Sequence, residues 1–320
     1  MSRFRNLIFL LLLAFLFVEV LLVFPREVRE STEAPPASQS NGKSQKGPVE
    51  QRAEGIHLVE SQGNTQDWEL FAKKAEGSQT QTWTLRDVKA LFYKEAVVSF
   101  TVTGKSGVVD TQSKDMQIKG TVETTSANGY RFWTEDVKYQ AKSRHIVSPT
   151  RVKMIGPADK DGSGLKVEGT RLMADVASGR MQIFADVKAE KVLRSGRRLR
   201  LTAHSAEFSG KNQQATFRGK VVLSYGAATI EAPEAELFSG AAGDLLSSVR
   251  LVGGVKVSDQ DKFATSESLN LDLVLNQFIL NGQPKVYQGQ DELSGERIIF
   301  LDDGKKVKVE GVQAQMKESK

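Results

Sequence analysis

The chain of 320 residues contains no cysteine. That excludes disulfides, thiolate catalysis, cysteine-based zinc sites and lipoprotein-type attachment of an acyl chain. Histidine is nearly as scarce, and His57, His145 and His204 stand in separate stretches without metal-ligand spacing. No Walker sequence, nucleophile elbow or HExxH is present. Asp302 and Asp303 adjoin in a turn-like segment, whereas a glycosidase pair must face across a cleft. Gly162-Ser163-Gly164 lacks the strand–helix context of a phosphate loop and reads as a turn. Beyond the first 24 residues, no stretch keeps helical periodicity for more than about two turns. The sequence offers no catalytic group, no metal site and no cofactor site.

What it does offer begins at the N-terminus. Leu7 to Phe24 is an almost unbroken apolar run preceded by Arg3 and Arg5. As a helix of roughly 18 residues it would reach about 27 Å, near the hydrocarbon thickness of a bilayer. The run ends at Phe24-Pro25-Arg26 with no small-x-small cleavage site, so residues 1–25 are expected to form an uncleaved transmembrane anchor. The short basic N-terminal tail favours a cytoplasmic start, with everything after Pro25 outside. Glu19 lies within the run; either it faces a partner helix or, close to the outer end, it snorkels. Residues 26–55, with Pro35, Pro36 and Pro48 among polar residues, read as a disordered tether.

The remainder reads as all-β. From Met116 to Gly156, short runs of β-branched and aromatic residues alternate with polar ones, separated by Gly120, Ser126-Ala127-Asn128-Gly129 and Lys142-Ser143-Arg144. This is the pattern of many short antiparallel strands. Units of a glycine followed by a strand recur at Gly219, Gly254 and Gly282, and Gly104 to Asp110 reads as a turn feeding a strand. Two β domains are expected, 56–193 and 194–320, joined at a basic connector carrying Lys191, Arg194, Arg197, Arg198 and Arg200. The net charge of +5 admits nucleic acid or anionic lipid as partner, but export of this part disfavours nucleic acid. Alternation alone places Phe132, Tyr139, Met154, Phe217, Leu223, Leu271 and Phe278 on the inward face.

An N-terminal anchor, then WELFAKKA, GTVETTSANGYRFWTEDVKY and GPADKDGSGLKVEG, resembles the LptC members of the lipopolysaccharide-transport periplasmic bridge family. From Leu201, LTAHSAEF, FRGKVVLSYGAATIEAPEAELF and FILNGQPKVYQGQDELSGERIIF resemble its LptA (OstA-like) members. The resemblance implies two tandem open β-jellyrolls, each with two sheets meeting in a V around an apolar groove. It implies that the seven inward residues contact lipopolysaccharide, which is accepted from an inner-membrane ABC transporter. The anchor, at Glu19, would contact that transporter, and edge-strand pairing would join a further bridge or outer-membrane translocon jellyroll. The protein would sit in the inner membrane by a single pass, with its bulk in the periplasm, and would not be an enzyme. Two other readings are a carbohydrate-active β-protein, which needs a polar acidic groove, and a membrane-anchored structural scaffold, which needs a filled core.

Overall fold

The computed structural model describes residues 50–63, 65–78, 81–158, 164–209, 214–240, 246–301, 306–311 and 313–315. The apolar run with Glu19, most of the tether and the Asp302–Gly304 segment lie outside them. No described residue is helical. In chain order the strands are β1 (Glu50–Gln62), β2 (Thr65–Ser78), β3 (Thr82–Lys94), β4 (Val97–Asp110), β5 (Met116–Ser126), β6 (Arg131–Gln140), β7 (His145–Ser148) and β8 (Val152–Ile155). There follow β9 (Lys166–Gly169), β10 (Arg171–Asp175), β11 (Arg180–Val192), β12 (Arg198–Ser209), β13 (Gln214–Tyr225), β14 (Ala228–Ser239) and β15 (Leu246–Asp259). The last are β16 (Lys262–Asp272), β17 (Gln277–Asn281), β18 (Lys285–Gln288), β19 (Asp291–Ser294), β20 (Arg297–Leu301), β21 (Lys306–Glu310) and β22 (Gln313–Gln315). All 22 belong to one sheet, and every pairing is antiparallel.

Several strands run 11–14 residues, longer than the short runs in the sequence suggested. The reason is the glycines. Gly120 lies inside β5, Gly219 inside β13, and Gly253-Gly254 inside β15, not between strands. Gly104 to Asp110 likewise falls wholly within β4. Glycine at positive φ serves a turn and a mid-strand corner equally well, so its presence alone cannot separate the two.

These corners align into one seam from β5 to the junction of β17 and β18. Successive left-handed pairs are Gly120-Thr121 (φ 81° and 50°), Ala185-Asp186 (54°, 51°), Gly219-Lys220 (83°, 47°), Gly253-Gly254 (93°, 95°) and Gly282-Gln283 (79°, 50°). On neighbouring strands one residue stands opposite each pair. Between β13 and β14, for example, Gly219 and Lys220 face Pro233 alone, with Arg218↔Glu234 on one side and Val221↔Ala232 on the other. The unequal step bends the ladder while keeping the apolar face inward on both sides. Thus Ala215 and Phe217 are buried before the corner, and Val221, Leu223 and Tyr225 after it.

The seam folds the sheet into two facing walls. One carries Phe92, Phe132, Met154, Leu223 and Tyr225; the other carries Tyr139, Phe208, Phe217, Leu271 and Phe278. Ring pairs cross between them: Phe92–Tyr139 at 4.5 Å, Tyr130–Phe208 at 5.8 Å and Tyr225–Phe278 at 6.0 Å. At the expected connector there is no linker. Val192 and Arg198 pair directly, closing a hairpin, and β11 and β12 share eleven paired positions from Val192↔Arg198 to Arg180↔Ser209. Both walls cross this point unbroken, through β8–β9–β11 on one side and β7–β10–β11 on the other. Residue 50 already belongs to β1, so the strand begins six residues inside the stretch read as tether.

A side chain on Gly219 would lie 2.9 Å from His204 Cβ at a φ of +83°, whereas one on Gly226 (φ +63°) would meet nothing within 4 Å. We therefore expect Gly219→Val to lower unfolding stability by about 2–5 kcal/mol, through backbone strain plus overpacking. Gly226→Ala should cost only about 1 kcal/mol. Urea denaturation checks both, and equal costs at the two sites would refute the seam's steric role.

Candidate lipid groove, its rims and its cavity

Each wall presents alternate side chains to the interior, because successive residues of a strand face opposite sides. Phe132, Met154, Phe217, Leu223, Leu271 and Tyr139 are at most 2% exposed, and Phe278 is half-buried against the same core. All seven residues placed inward by alternation lie on the inward face, and one continuous apolar cluster runs from Trp68 to Ile298. Its density is the unexpected feature. Over the N-terminal half the space between the walls is filled by these side chains, not open as a trough.

The mouth opposite the seam is laced shut by contacts that the sequence pattern did not indicate. Asp67, buried on one wall, meets Arg144 on the turn ending the other, with Nε to Oδ1 at 2.7 Å. The Nε lies in ion-pair contact but off the line of a hydrogen bond. Arg144 Nη2 donates to the Tyr93 carbonyl at 2.6 Å, and Tyr139 Oη donates to Asp67 Oδ2 at 3.2 Å. Lys94 Nζ donates to the Ser178 carbonyl at 3.4 Å, and Lys114 pairs with Glu60 at 3.1 Å. In the C-terminal half the bridge is Arg197, whose Nη1 donates to Asn276 Oδ1 at 2.8 Å. Tyr225 Oη donates to the same oxygen at 3.1 Å, and the guanidinium lies 5.6 Å from the Tyr225 ring centroid. These rim residues sit in turns and near strand ends, where neither period two nor composition tells which end faces which.

Beside Arg197 and Tyr225 lies a cavity of about 370 Å³. Its lining includes Ala264, Leu269, Phe278, Leu280, Val286 and Phe300, together with Arg197, Asp259 and Lys262. Asp259 Oδ1 is buried there without a hydrogen-bond partner. A mainly apolar pocket with a few polar groups suits an amphiphile.

The basic connector does not form a single patch. Lys191 is 4% exposed, Arg197 reaches across the mouth, and Arg200 pairs with Glu190 at 3.3 Å. The histidines stay apart as well. His57 stacks on Phe71 and meets Glu69, His145 lies 3.4 Å from Asp175, and His204 packs under Gly219. Among the described residues no group of three or more histidine or acidic side chains is placed to hold a metal.

Against this geometry, comparison with known proteins gives a consistent result. A family model described as "Lipopolysaccharide-assembly, LptC-related" matches residues 11–192. A second, described as "LptA/(LptD N-terminal domain) LPS transport protein", matches residues 200–306. The first spans more than half of the chain, which belongs to the LptC-related lipopolysaccharide-assembly family. With the second match it carries an LptC-like and an LptA-like segment in tandem, and it is a component of the periplasmic lipopolysaccharide-transport bridge. Both are transport families. Among solved structures it is similar to the crystal structure of LptH, the LptA homologous periplasmic component of the lipopolysaccharide transport device from Pseudomonas aeruginosa. That match has 20% identity and a TM-score of 0.34, covering 38% of this chain and 95% of that one. No curated protein matches.

Two measurements test the mouth. Asp67→Asn leaves Arg144 beside a neutral partner and should cost about 2–3 kcal/mol, below the value for a fully buried pair because Arg144 is partly solvated. Urea unfolding checks it; a change below about 0.5 kcal/mol would show the contact to be incidental. Burial first, then the Asp67 charge, pushes the Tyr139 phenol far above its ordinary value of 10. Below pH 10 folded and unfolded chains both keep that proton. As pH rises past 10 only the unfolded chain ionises, so stability falls. Tyr139→Phe should flatten that alkaline decline, measured by denaturation between about pH 9 and 11.

Proposed function

We propose that this chain takes lipopolysaccharide from an inner-membrane ABC transporter and passes its acyl chains between the two walls towards the outer membrane. In this reading residues 1–25 anchor the protein in the inner membrane by a single pass, Glu19 contacts the transporter, and the tether ends near the start of β1. Residues 56–193 and 194–320 act as two β-jellyrolls in series. The observation that carries the proposal is the β11–β12 hairpin. The two family matches meet between residues 192 and 200, where both walls continue through paired strands. A lipid crossing this joint would not meet water.

The energetics support an interior that opens on demand. Burying a twelve-carbon acyl chain is worth roughly 10 kcal/mol at about 0.8 kcal/mol per CH₂. Solvent-exposed rim pairs such as Lys114–Glu60 are worth about 1 kcal/mol or less each. An acyl chain can therefore part the rims, displace the ring contacts and let them close behind it. The ends suit assembly. Among the described residues β1 pairs only with β2 and β21 only with β20, leaving ladder edges that a neighbouring strand can extend. A structural scaffold remains the second reading, favoured by the filled N-terminal half.

Photo-crosslinking decides between them. Benzoylphenylalanine in place of Phe132, Phe217 or Phe278 should crosslink to lipopolysaccharide in cells, while the same probe at Trp133, on the outer face of β6, should not. Crosslinks absent from all three interior positions would leave the scaffold reading.

A further inference from the structure

The β16–β17 turn presents two apolar side chains to water. Among the described residues Val274 and Leu275, 73% and 62% exposed, are the only exposed large hydrophobics adjacent in sequence. Lone exposed valines such as Val97 are ordinary on a protein surface, but a pair side by side forms a patch. The turn holds that patch in a fixed shape. Asp272 Oδ1 accepts from the Val274 and Leu275 amides at 2.9 and 2.8 Å. The Leu273 amide donates to the Ser247 carbonyl at 2.9 Å, and its side chain packs on the core. Asn276, at a left-handed φ of 52°, accepts from Tyr225 on its far side. A tip so fixed has little ordering entropy left to lose when it meets a partner.

The neighbouring charge indicates the partner. The Arg197–Asn276 contact sets the β11–β12 turn beside this tip, and that turn brings Arg194 and Arg198, both exposed. On the two turns these three arginines stand against one acid, Asp272. The β15–β16 turn adds Asp259, Asp261 and Lys262, which leaves the surrounding charge positive. We propose that the tip docks on an anionic bilayer surface. Val274 and Leu275 enter the boundary between headgroups and acyl chains, and the arginines meet headgroup phosphates. A protein partner fits less well, because two adjoining side chains fall far short of the roughly 800 Å² that a stable interface takes from each partner. The contact uses exposed side chains and needs no ligand between the walls, so it stands or falls apart from the groove reading.

Residues 1–25, read as an anchor, would attach the full chain to any vesicle, so the readout must be local to the tip. The absence of cysteine permits this. Leu275→Cys, and separately Val97→Cys on the β3–β4 turn, would carry an environment-sensitive fluorophore in the full chain. Each labelled chain is reconstituted in vesicles of phosphatidylcholine alone or of phosphatidylcholine with phosphatidylglycerol. The label at 275 should shift to the blue on the anionic vesicles and stay water-exposed on the neutral ones; the label at 97 should stay water-exposed on both. Added salt should reverse the shift. Arg194→Gln or Arg198→Gln should each lower the docked-to-free ratio about fivefold, and Val274→Ser should lower it about tenfold. Circular dichroism confirms that each variant is folded. A label at 275 that stays in water on anionic vesicles overturns the proposal. Equal shifts on neutral and anionic vesicles, or equal shifts at 97 and 275, overturn it too, since neither then depends on the arginines or the tip. A shift that needs no vesicle and grows with protein concentration overturns it in favour of contact between copies of the chain.

Discussion

The structure depends on one constraint: a long β-ladder must turn a corner without turning its apolar side outward. Side chains alternate with a period of two, so slipping one strand past its neighbour by one residue along its whole length would turn its apolar set outward. Here each corner advances two left-handed residues on one strand against one on its neighbour, and the inward face survives. Glycine takes the first left-handed place in Gly120-Thr121, Gly219-Lys220 and Gly282-Gln283, where any Cβ would press on Lys105, His204 or Glu267 of the adjoining strand. Ala185-Asp186 accepts the same conformation without glycine, at a backbone cost of about 1 kcal/mol per residue. Because the corners stack, a single sheet becomes two walls around one interior.

That geometry explains why an LptC-like and an LptA-like segment can share a chain. A repeat of folded strands has no natural end; adding strands extends both walls and the space between them. The β11–β12 hairpin is simply the next step in this series, and its eleven paired positions leave no room for independent tumbling. Among the described residues the same logic leaves unpaired ladders at β1 and β21.

Much of this was legible in the sequence, and the failures have clear causes. The all-β class and the inward set from Phe132 to Phe278 followed from alternation, a local signal that survives as long as no corner intervenes within a run. Gly120 and Gly219 were visible but read as boundaries, since positive φ marks a hairpin and a corner alike. The basic stretch from Lys191 to Arg200 looked like a linker because charge clusters also occur in linkers; its place in the sheet is fixed by more distant partners, as in Leu199↔Tyr225 and Arg200↔Ser224. The rim bridges were invisible. Asp67 and Arg144 lie 77 positions apart, and nothing local to either residue specifies its opposite number.

The central claim is that lipid moves between walls that must part at the rims. The absence of cysteine allows the rims to be tied selectively, with Lys94→Cys and Ser178→Cys in one half and Arg197→Cys with Asn276→Cys in the other. A bis-maleimide with a reducible spacer would link each pair in cells that depend on this chain for lipopolysaccharide delivery. The account predicts that delivery stops when either pair is linked and resumes when the spacer is reduced. Undiminished delivery with both rims linked would contradict it.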